Sequence, residues 1–351
     1  MKFDEILEID EKKLTKKYIE SLSKQERLDL IDPIFNLLRT TEFIYPDDEV
    51  KIKKSWKRLQ EYVPDLDSPD LFNNSSLATD ICKHFCHTFY QATETGKPTL
   101  IDNFKNDAVL KKIIHNRLGL GWLDPDDRGP GVNEAFNLSF KMIVFQGGRS
   151  MRLVNATSIF KPSIAKYICM KYSSPGDTVG DYSCGFGGRM MGAVSCGRKY
   201  IGTDPLTVPE LERMVDFFKF PDCTLIHSGS ENYRGKENSV DLYWSSPPYQ
   251  DMESYSNDPT QAYNNGTDHF YDVYWKQTLA NVRFMLKPGK VFGLNVMSRY
   301  DRMIEMAREQ FGNPVEEIRL RTIRSHLGKN LSKGIDGIQK YEPVFIFKNN
   351  K

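Results

Sequence analysis

From about residue 155 onward the chain alternates between two hydrophobic periods. Short runs rich in apolar and β-branched residues, at 178–182, 200–204, 223–226, 240–244, 290–296, 317–323 and 343–348, read as seven strands. Between them apolar residues recur at helical spacing. One helix opens at Pro162 and carries Ile164, Tyr167, Ile168 and Met170 on one face. Another, over 209–220, carries Leu211, Met214, Val215 and Phe218. Residues 189–194, 271–286 and 302–311 read as further helices. Strands alternating with helices predict a parallel sheet covered on both faces. The last two strands are joined by a stretch too short and polar for a crossover helix, so they should pair antiparallel. The expected fold class is therefore α/β: a Rossmann-like, seven-stranded sheet with an antiparallel last strand.

The first half reads differently. Leu14, Tyr18, Ile19 and Leu22, then Leu28, Leu30 and Ile31, suggest short amphipathic helices. Lys51, Lys53, Lys54, Lys57 and Arg58 form a basic helical face around Trp56. It reads as a solvated face, with phosphate contact as the sharper alternative. Cys82, His84, Cys86 and His87 sit close together. On one helix Cys82 and Cys86 share a face while His84 points away, and no second ligand pair follows. They read as core cysteines with a surface histidine, and no metal is expected. A turn-rich break at 119–133 and the Gly147-Gly148-Arg149 stretch place the expected boundary near 150. That gives a mainly helical N-terminal domain over 1–150, expected to help recognise the substrate, and a second domain over 151–351.

Composition narrows the partners. A chain of 351 residues has room for two such domains. The formal net charge is +1, so any nucleic-acid contact must come from a local basic face and not from a global field. The six cysteines have no framework spacing, which implies reduced thiols and a cytoplasmic protein. No leader and no long apolar span is read, so no membrane partner is expected.

Two stretches carry candidate chemistry. In Asp241-Leu242-Tyr243-Trp244-Ser245-Ser246-Pro247-Pro248-Tyr249 a strand runs straight into a stiff turn. The two prolines fix φ and leave their carbonyls as pure acceptors. Ser246 and a free carbonyl can accept the two N–H bonds of a planar exocyclic amine, and Tyr249 can stack on the heterocycle that bears it. Upstream, Asp181-Tyr182-Ser183-Cys184-Gly185-Phe186-Gly187-Gly188 is a strand end followed by a glycine-rich turn and a helix start. A second strand then ends in Asp204-Pro205. A glycine loop followed about 20 residues later by a strand-end carboxylate suits a nucleoside, with the acid on the ribose hydroxyls. The glycines are too close together for the G-x-G-x-x-G spacing of dinucleotide sites, which argues against nicotinamide or flavin chemistry.

Together these residues resemble the S-adenosylmethionine-dependent amino-methyltransferases of nucleic acids. That family pairs an acid-x-x-x-Gly-x-Gly loop, here Asp181 to Gly187, with a later [Ser/Asp/Asn]-Pro-Pro-[Tyr/Phe/Trp] loop, here Ser246 to Tyr249. The resemblance covers about residues 155–351. It implies a methyltransferase sheet and S-adenosyl-L-methionine as cofactor, held by Asp181, Ser183, Cys184, Gly185, Gly187, Asp204 and Pro205. Ser228 or Glu231 would meet the adenine amine, and Phe160 would border the methionine end. It implies a catalytic turn of Ser246, Pro247, Pro248 and Tyr249, and DNA as the partner. The Ser-Pro-Pro-Tyr form is usual in cytosine-N4 enzymes. Many of those place the proline loop first in the sequence, however, so adenine N6 stays open as the alternative target. RNA or protein-amide methylation, or a non-catalytic nucleic-acid-binding relative, are further alternatives.

A cationic stretch holding Arg319, Arg321, Arg324, His326, Lys329, Lys333 and Lys340 lies between the last two strands. It suggests a phosphate-gripping loop, with Arg321, Arg324, Lys329 and Lys333 as candidate nucleic-acid contacts. A solvated charged hairpin is the bland alternative.

Overall fold

The computed structural model describes residues 16–40, 48–67, 70–72, 76–94, 98–120, 159–249, 253–256, 258–321 and 341–351. The chain divides into two compact units that alternate along the sequence. One comprises Met1–Asp47, His87–Thr157 and Asp251–Ser256; the other comprises Asp48–Cys86, Ser158–Gln250 and Asn257–Lys351. The stretch Asp48–Cys86 thus belongs with the sheet described next, although it lies ahead of the boundary expected near 150.

Among its described residues the second unit is built on an eight-stranded sheet. Its strands are β1 (Asp70–Phe72), β3 (Thr178–Asp181), β4 (Lys199–Thr203), β5 (Cys223–Ile226), β6 (Val240–Ser245), β8 (Leu286–Asn295), β9 (Glu316–Arg321) and β10 (Tyr341–Lys348); β2 (Thr93–Glu94) and β7 (Glu253–Ser254) belong to the other unit. The spatial order is β1-β9-β10-β8-β6-β3-β4-β5. Strands β3, β4, β5, β6 and β8 pair in parallel, and β10 runs antiparallel to both β8 and β9. Seven of the eight are the strands predicted from hydrophobic pattern, with the antiparallel last strand where it was expected. The eighth, β1, was not predicted. It pairs in parallel with β9 through Asp70–Arg319, Leu71–Leu320 and Phe72–Arg321, and three residues are too few to show a period.

The connectivity positions the site. From β3 the chain moves outward through β4 to β5, then returns to place β6 on the other side of β3. Strand order therefore reverses between β3 and β6. In open α/β sheets ligands bind in the crevice at the carboxyl ends of the strands on either side of such a switch point. Every residue of β6 is buried, as a strand covered on both faces requires.

Helix Glu49–Glu61 belongs to this unit and is N-capped by Asp48, which accepts from the Lys51 amide at 2.9 Å. Trp56 packs on Phe218 and Phe220, with ring centroids 5.6 and 4.7 Å away. Lys53 and Lys57 pair with Glu49 and Glu61 one turn away, so the basic face is partly neutralised on its own helix. Buried Lys166 donates to the carbonyls of Leu59 and Gln60, both at 2.8 Å, at the end of that helix. Cys82 Sγ lies 3.8 Å from Met191 Sδ, and Cys86 Sγ donates to the Phe186 carbonyl at 3.6 Å. Burial pushes both thiols up, that of Cys82 to about 12. The predicted helix at 271–286 is observed as a π-helical segment, His269–Trp275, that continues into the α-helix Lys276–Met285.

The first unit is mainly helical among its described residues. Helices Lys16–Ser21, Lys24–Asp29, Ile31–Arg39, Leu100–Lys105 and Asp107–Arg117 surround a core of Ile19, Leu30, Ile34, Leu38, Leu110 and Ile113. Ser23 and Glu26 form a capping box at the start of the second helix. Strands β2 (Thr93–Glu94) and β7 (Glu253–Ser254) pair antiparallel. Among the described residues no helix is long and apolar enough to cross a membrane.

Candidate active site at the strand switch point

The site begins with Asp181, the last residue of β3, which is 1% exposed. Its carboxylate accepts from the Ser183 amide (3.1 Å), the Ser245 hydroxyl (2.5 Å), Arg189 Nε (2.9 Å) and the Tyr200 hydroxyl (2.7 Å). Four donors fill the acceptor capacity of one carboxylate. Asp181, expected to meet the cofactor, thus serves here as the hub that ties β3, β4 and β6 to the glycine loop.

Arg189 is the second element. It lies in helix Gly188–Val194 and is buried. Its Nε is held by Asp181, its Nη2 donates to the Ser183 carbonyl, and its Nη1 donates to Ser246 Oγ at 2.9 Å. The guanidinium also stands 5.4 Å from the Phe160 ring centroid. One side chain therefore joins the glycine loop after β3 to the Ser-Pro-Pro-Tyr turn after β6. Sequence reasoning missed it. The available signal was that Arg189 is the one charged residue in a helix otherwise made of Gly, Met, Ala and Val.

The glycine loop is shaped by close approach. Gly185 and Gly187 have φ of +52° and +79°, values that cost glycine little. A Cβ on Gly188 would fall 2.0 Å from the Phe160 carbonyl oxygen, so that position excludes any side chain. A Cβ on Gly185 would meet only the Ser183 carbonyl, at 3.9 Å, so the loop is open there. The amides of Ser183, Cys184, Gly185 and Gly187 already have protein acceptors in Asp181, Thr203, Asp204 and Cys184. These four positions therefore offer a ligand no free N–H group. Cys184 points its thiol into the sheet against Gly202, and burial holds that thiol well above its usual range.

Asp204 follows β4 and is half-buried. Its Oδ2 accepts from the Gly185 amide, and its Oδ1 from the amides of Leu206 and Thr207, each at 2.9 Å. Burial raises its pKa, against the opposing pull of those backbone donors. One acceptor position remains on Oδ2. The Pro205 carbonyl accepts from His227 Nε2 at 3.0 Å. Ser228, half-buried after β5, donates to the Gly229 carbonyl at 3.3 Å. Glu231 keeps one buried carboxylate oxygen, Oε2, without a hydrogen-bond partner among the described residues, and burial raises its pKa. Phe160 stands edge-on to Trp244 with centroids 5.3 Å apart.

In the proline turn, Pro247 is buried and Ser246 and Pro248 are half-buried. Tyr249 is 9% exposed and stacks on Tyr300. Its hydroxyl donates to Glu342 at 2.7 Å. Arg321 ends β9, and its side chain lies outside the described residues, as do Arg324, Lys329 and Lys333.

No family model matches the chain, and no curated protein matches it. Solved structures with a similar arrangement include the tRNA (m1A58) methyltransferase of Aquifex aeolicus. It is 14% identical, the match covers 56% of this chain and 72% of that one, and the TM-score is 0.38. Geranyl diphosphate C-methyltransferase from Streptomyces coelicolor A3(2), solved with S-adenosyl-L-homocysteine, is 12% identical over 53% of this chain and 75% of that one, with TM-score 0.38. A SAM-dependent O-methyltransferase from Thermotoga maritima is 13% identical over 56% and 68%, with TM-score 0.36. Likenesses this distant do not assign a reaction.

Proposed function

We propose that this protein transfers a methyl group from S-adenosyl-L-methionine to the exocyclic amine of a DNA base, with cytosine N4 as the favoured target. The observation that carries the reading is the Asp181–Arg189–Ser246 bridge. It holds a glycine loop and a Ser-Pro-Pro-Tyr turn side by side at the strand switch point. The residues present fit the cofactor. The open loop surface at Gly185 admits a close ligand, Asp204 retains an acceptor position for a ribose hydroxyl, and the orphan Glu231 oxygen suits an amine donor.

When bound, the cofactor supplies an electrophilic methyl group. The chain's own residues do the rest. Phe160 and the loop at Gly185 would border that group. The Pro247 carbonyl accepts an N–H of the target amine and favours a tetrahedral nitrogen, which localises the lone pair for in-line attack. Tyr249 gives the flipped base an aromatic neighbour. Glycine-loop thiols take no part, consistent with the inward, protonated Cys184.

Incubation with labelled S-adenosyl-L-methionine and mixed DNA and RNA, followed by nucleoside mass spectrometry, tests this. N4-methylcytosine in DNA is the expected product. N6-methyladenine would correct the base, label in RNA alone would correct the substrate, and no label in either would overturn the reading.

A further inference from the structure

We infer that Ser246 meets the target base as a hydrogen-bond donor, and that Arg189 is the positioning residue that fixes this polarity; the inference rests on the base-amine reading above. A serine hydroxyl has one proton and two lone pairs. Arg189 Nη1 occupies one lone pair at 2.9 Å. Among the described residues no acceptor takes the Ser246 proton. The guanidinium is fixed, because Nε is held by Asp181 and Nη2 by the Ser183 carbonyl in a residue 5% exposed. Arginine does not exchange its role either, since it has five donors and no acceptor. A charge-assisted donor on an oxygen weakens the remaining lone pair as an acceptor and strengthens the O–H as a donor.

The next residue, Pro247, offers only a carbonyl acceptor. Two consecutive residues thus present a donor beside an acceptor. Cytosine and adenine present the complement: an unprotonated ring nitrogen (N3 or N1) beside the exocyclic N–H. The sequence suggested instead that Ser246 and the Pro247 carbonyl both accept from the amine. With Arg189 in place, that arrangement would leave the Ser246 proton unpaired against the base, which is costly in a half-buried site. Reading the ring nitrogen satisfies both groups at once. It also divides the labour: Pro247 touches the reacting nitrogen, while Ser246 registers the base.

The test uses the full chain and oligonucleotides carrying cytosine or 3-deazacytosine, which keeps the amine and replaces the ring nitrogen by CH. Adenine and 1-deazaadenine form the matching pair. For the wild type, the deaza base should lower kcat/KM by about tenfold, mostly through KM, as loss of a contact made already in the ground state does. In Ser246→Ala the natural and deaza bases should become equal substrates within about twofold. Ser246→Thr keeps the hydroxyl and should restore the discrimination. Arg189→Lys, with its melting temperature recorded alongside, should shrink it. The inference is overturned if the wild type ignores the ring nitrogen, or if Ser246→Ala discriminates as the wild type does. If the wild type methylates no natural base, the functional reading falls and takes the inference with it. If natural bases are methylated but the deaza effect is independent of Ser246, the inference alone falls.

Discussion

Tyr249 lies nearly parallel to Tyr300, with ring centroids 4.9 Å apart and planes 19° from parallel, while its hydroxyl donates to Glu342 at 2.7 Å. One face of the ring expected to carry a base is thus already stacked, and its polar tip is tied to a half-buried carboxylate.

Tyr249→Phe should separate these attachments. The ring and its stack survive, but Glu342 loses a donor, which is expected to cost about 1–3 kcal/mol of stability at neutral pH. Burial raises the Glu342 pKa against the opposing bonds from Tyr249 and Asn295. The difference between variant and wild type should therefore shrink as pH falls and that carboxyl takes up a proton. Tyr249→Ala loses the stack as well, and DNA affinity should drop by roughly 1–3 kcal/mol per stacked base. Urea titrations at two pH values and DNA-binding isotherms check both; a Phe variant as stable as wild type at pH 7 would contradict the tie.

Gly188 and Gly185 should respond differently. Gly188→Ala drives a methyl group into the Phe160 carbonyl oxygen, and overpacking of this kind typically costs about 1–3 kcal/mol, occasionally more. Gly185→Val meets open space. It should suffer mainly the left-handed strain of a φ of +52°, about 1–2 kcal/mol, while blocking the ligand approach. Melting curves and calorimetry with S-adenosyl-L-homocysteine distinguish the two. Undiminished affinity in Gly185→Val would reject this loop as the cofactor site.

Asp204→Asn keeps the shape of the side chain but replaces one acceptor oxygen by a donor. The three backbone amides at Gly185, Leu206 and Thr207 cannot all be satisfied by it. Cofactor affinity should fall by roughly 1.5–3 kcal/mol for the lost charged contact, with a further drop in stability from the loosened turn. Calorimetry beside a thermal melt reads both, and a variant matching wild type in affinity would remove Asp204 from the ribose site.

Asp241, at the start of β6, sets an acid limit. Burial pushes its pKa up, but the hydrogen bonds from Lys287 (2.7 Å) and the Thr178 amide (3.1 Å), with the charge of Lys290, outweigh it and hold it below the usual value. A depressed folded pKa means that the stabilisation is present above the unfolded value, about pH 4, and is lost as pH falls through the lower folded value. Asp241→Asn should be less stable than wild type at pH 7 and should show a shallower loss between about pH 4 and 2. Parallel acid-unfolding curves for the two proteins would refute this.

Much of the sheet was legible because its central strands are buried on both faces, so Leu242–Trp244 reads as an apolar run whatever surrounds it. Asp70–Phe72 had no such signature; its strand identity comes wholly from lying beside β9. In the site, Ser246 and Asp204 were found because their residue types at strand ends imply chemistry by themselves. Arg189, Tyr200, Ser245 and Glu342 were not. Their roles depend on which strands are neighbours, and the contact from Tyr249 to Glu342 spans 93 positions.

The placement of Asp48–Cys86 within the sheet-bearing unit governs how this protein can be dissected. A fragment starting at 151 would leave β9 with an unprotected edge, uncover the Phe218–Phe220 rings beneath Trp56, and strand the Lys166 ammonium without the Leu59 and Gln60 carbonyls. Exposed strand edges and aromatic surface invite self-association. Such a fragment should precipitate instead of surviving as a working half. Any exchange of the remaining N-terminal segments, in the laboratory or in evolution, therefore has to splice at three seams and leave residues 48–86 behind.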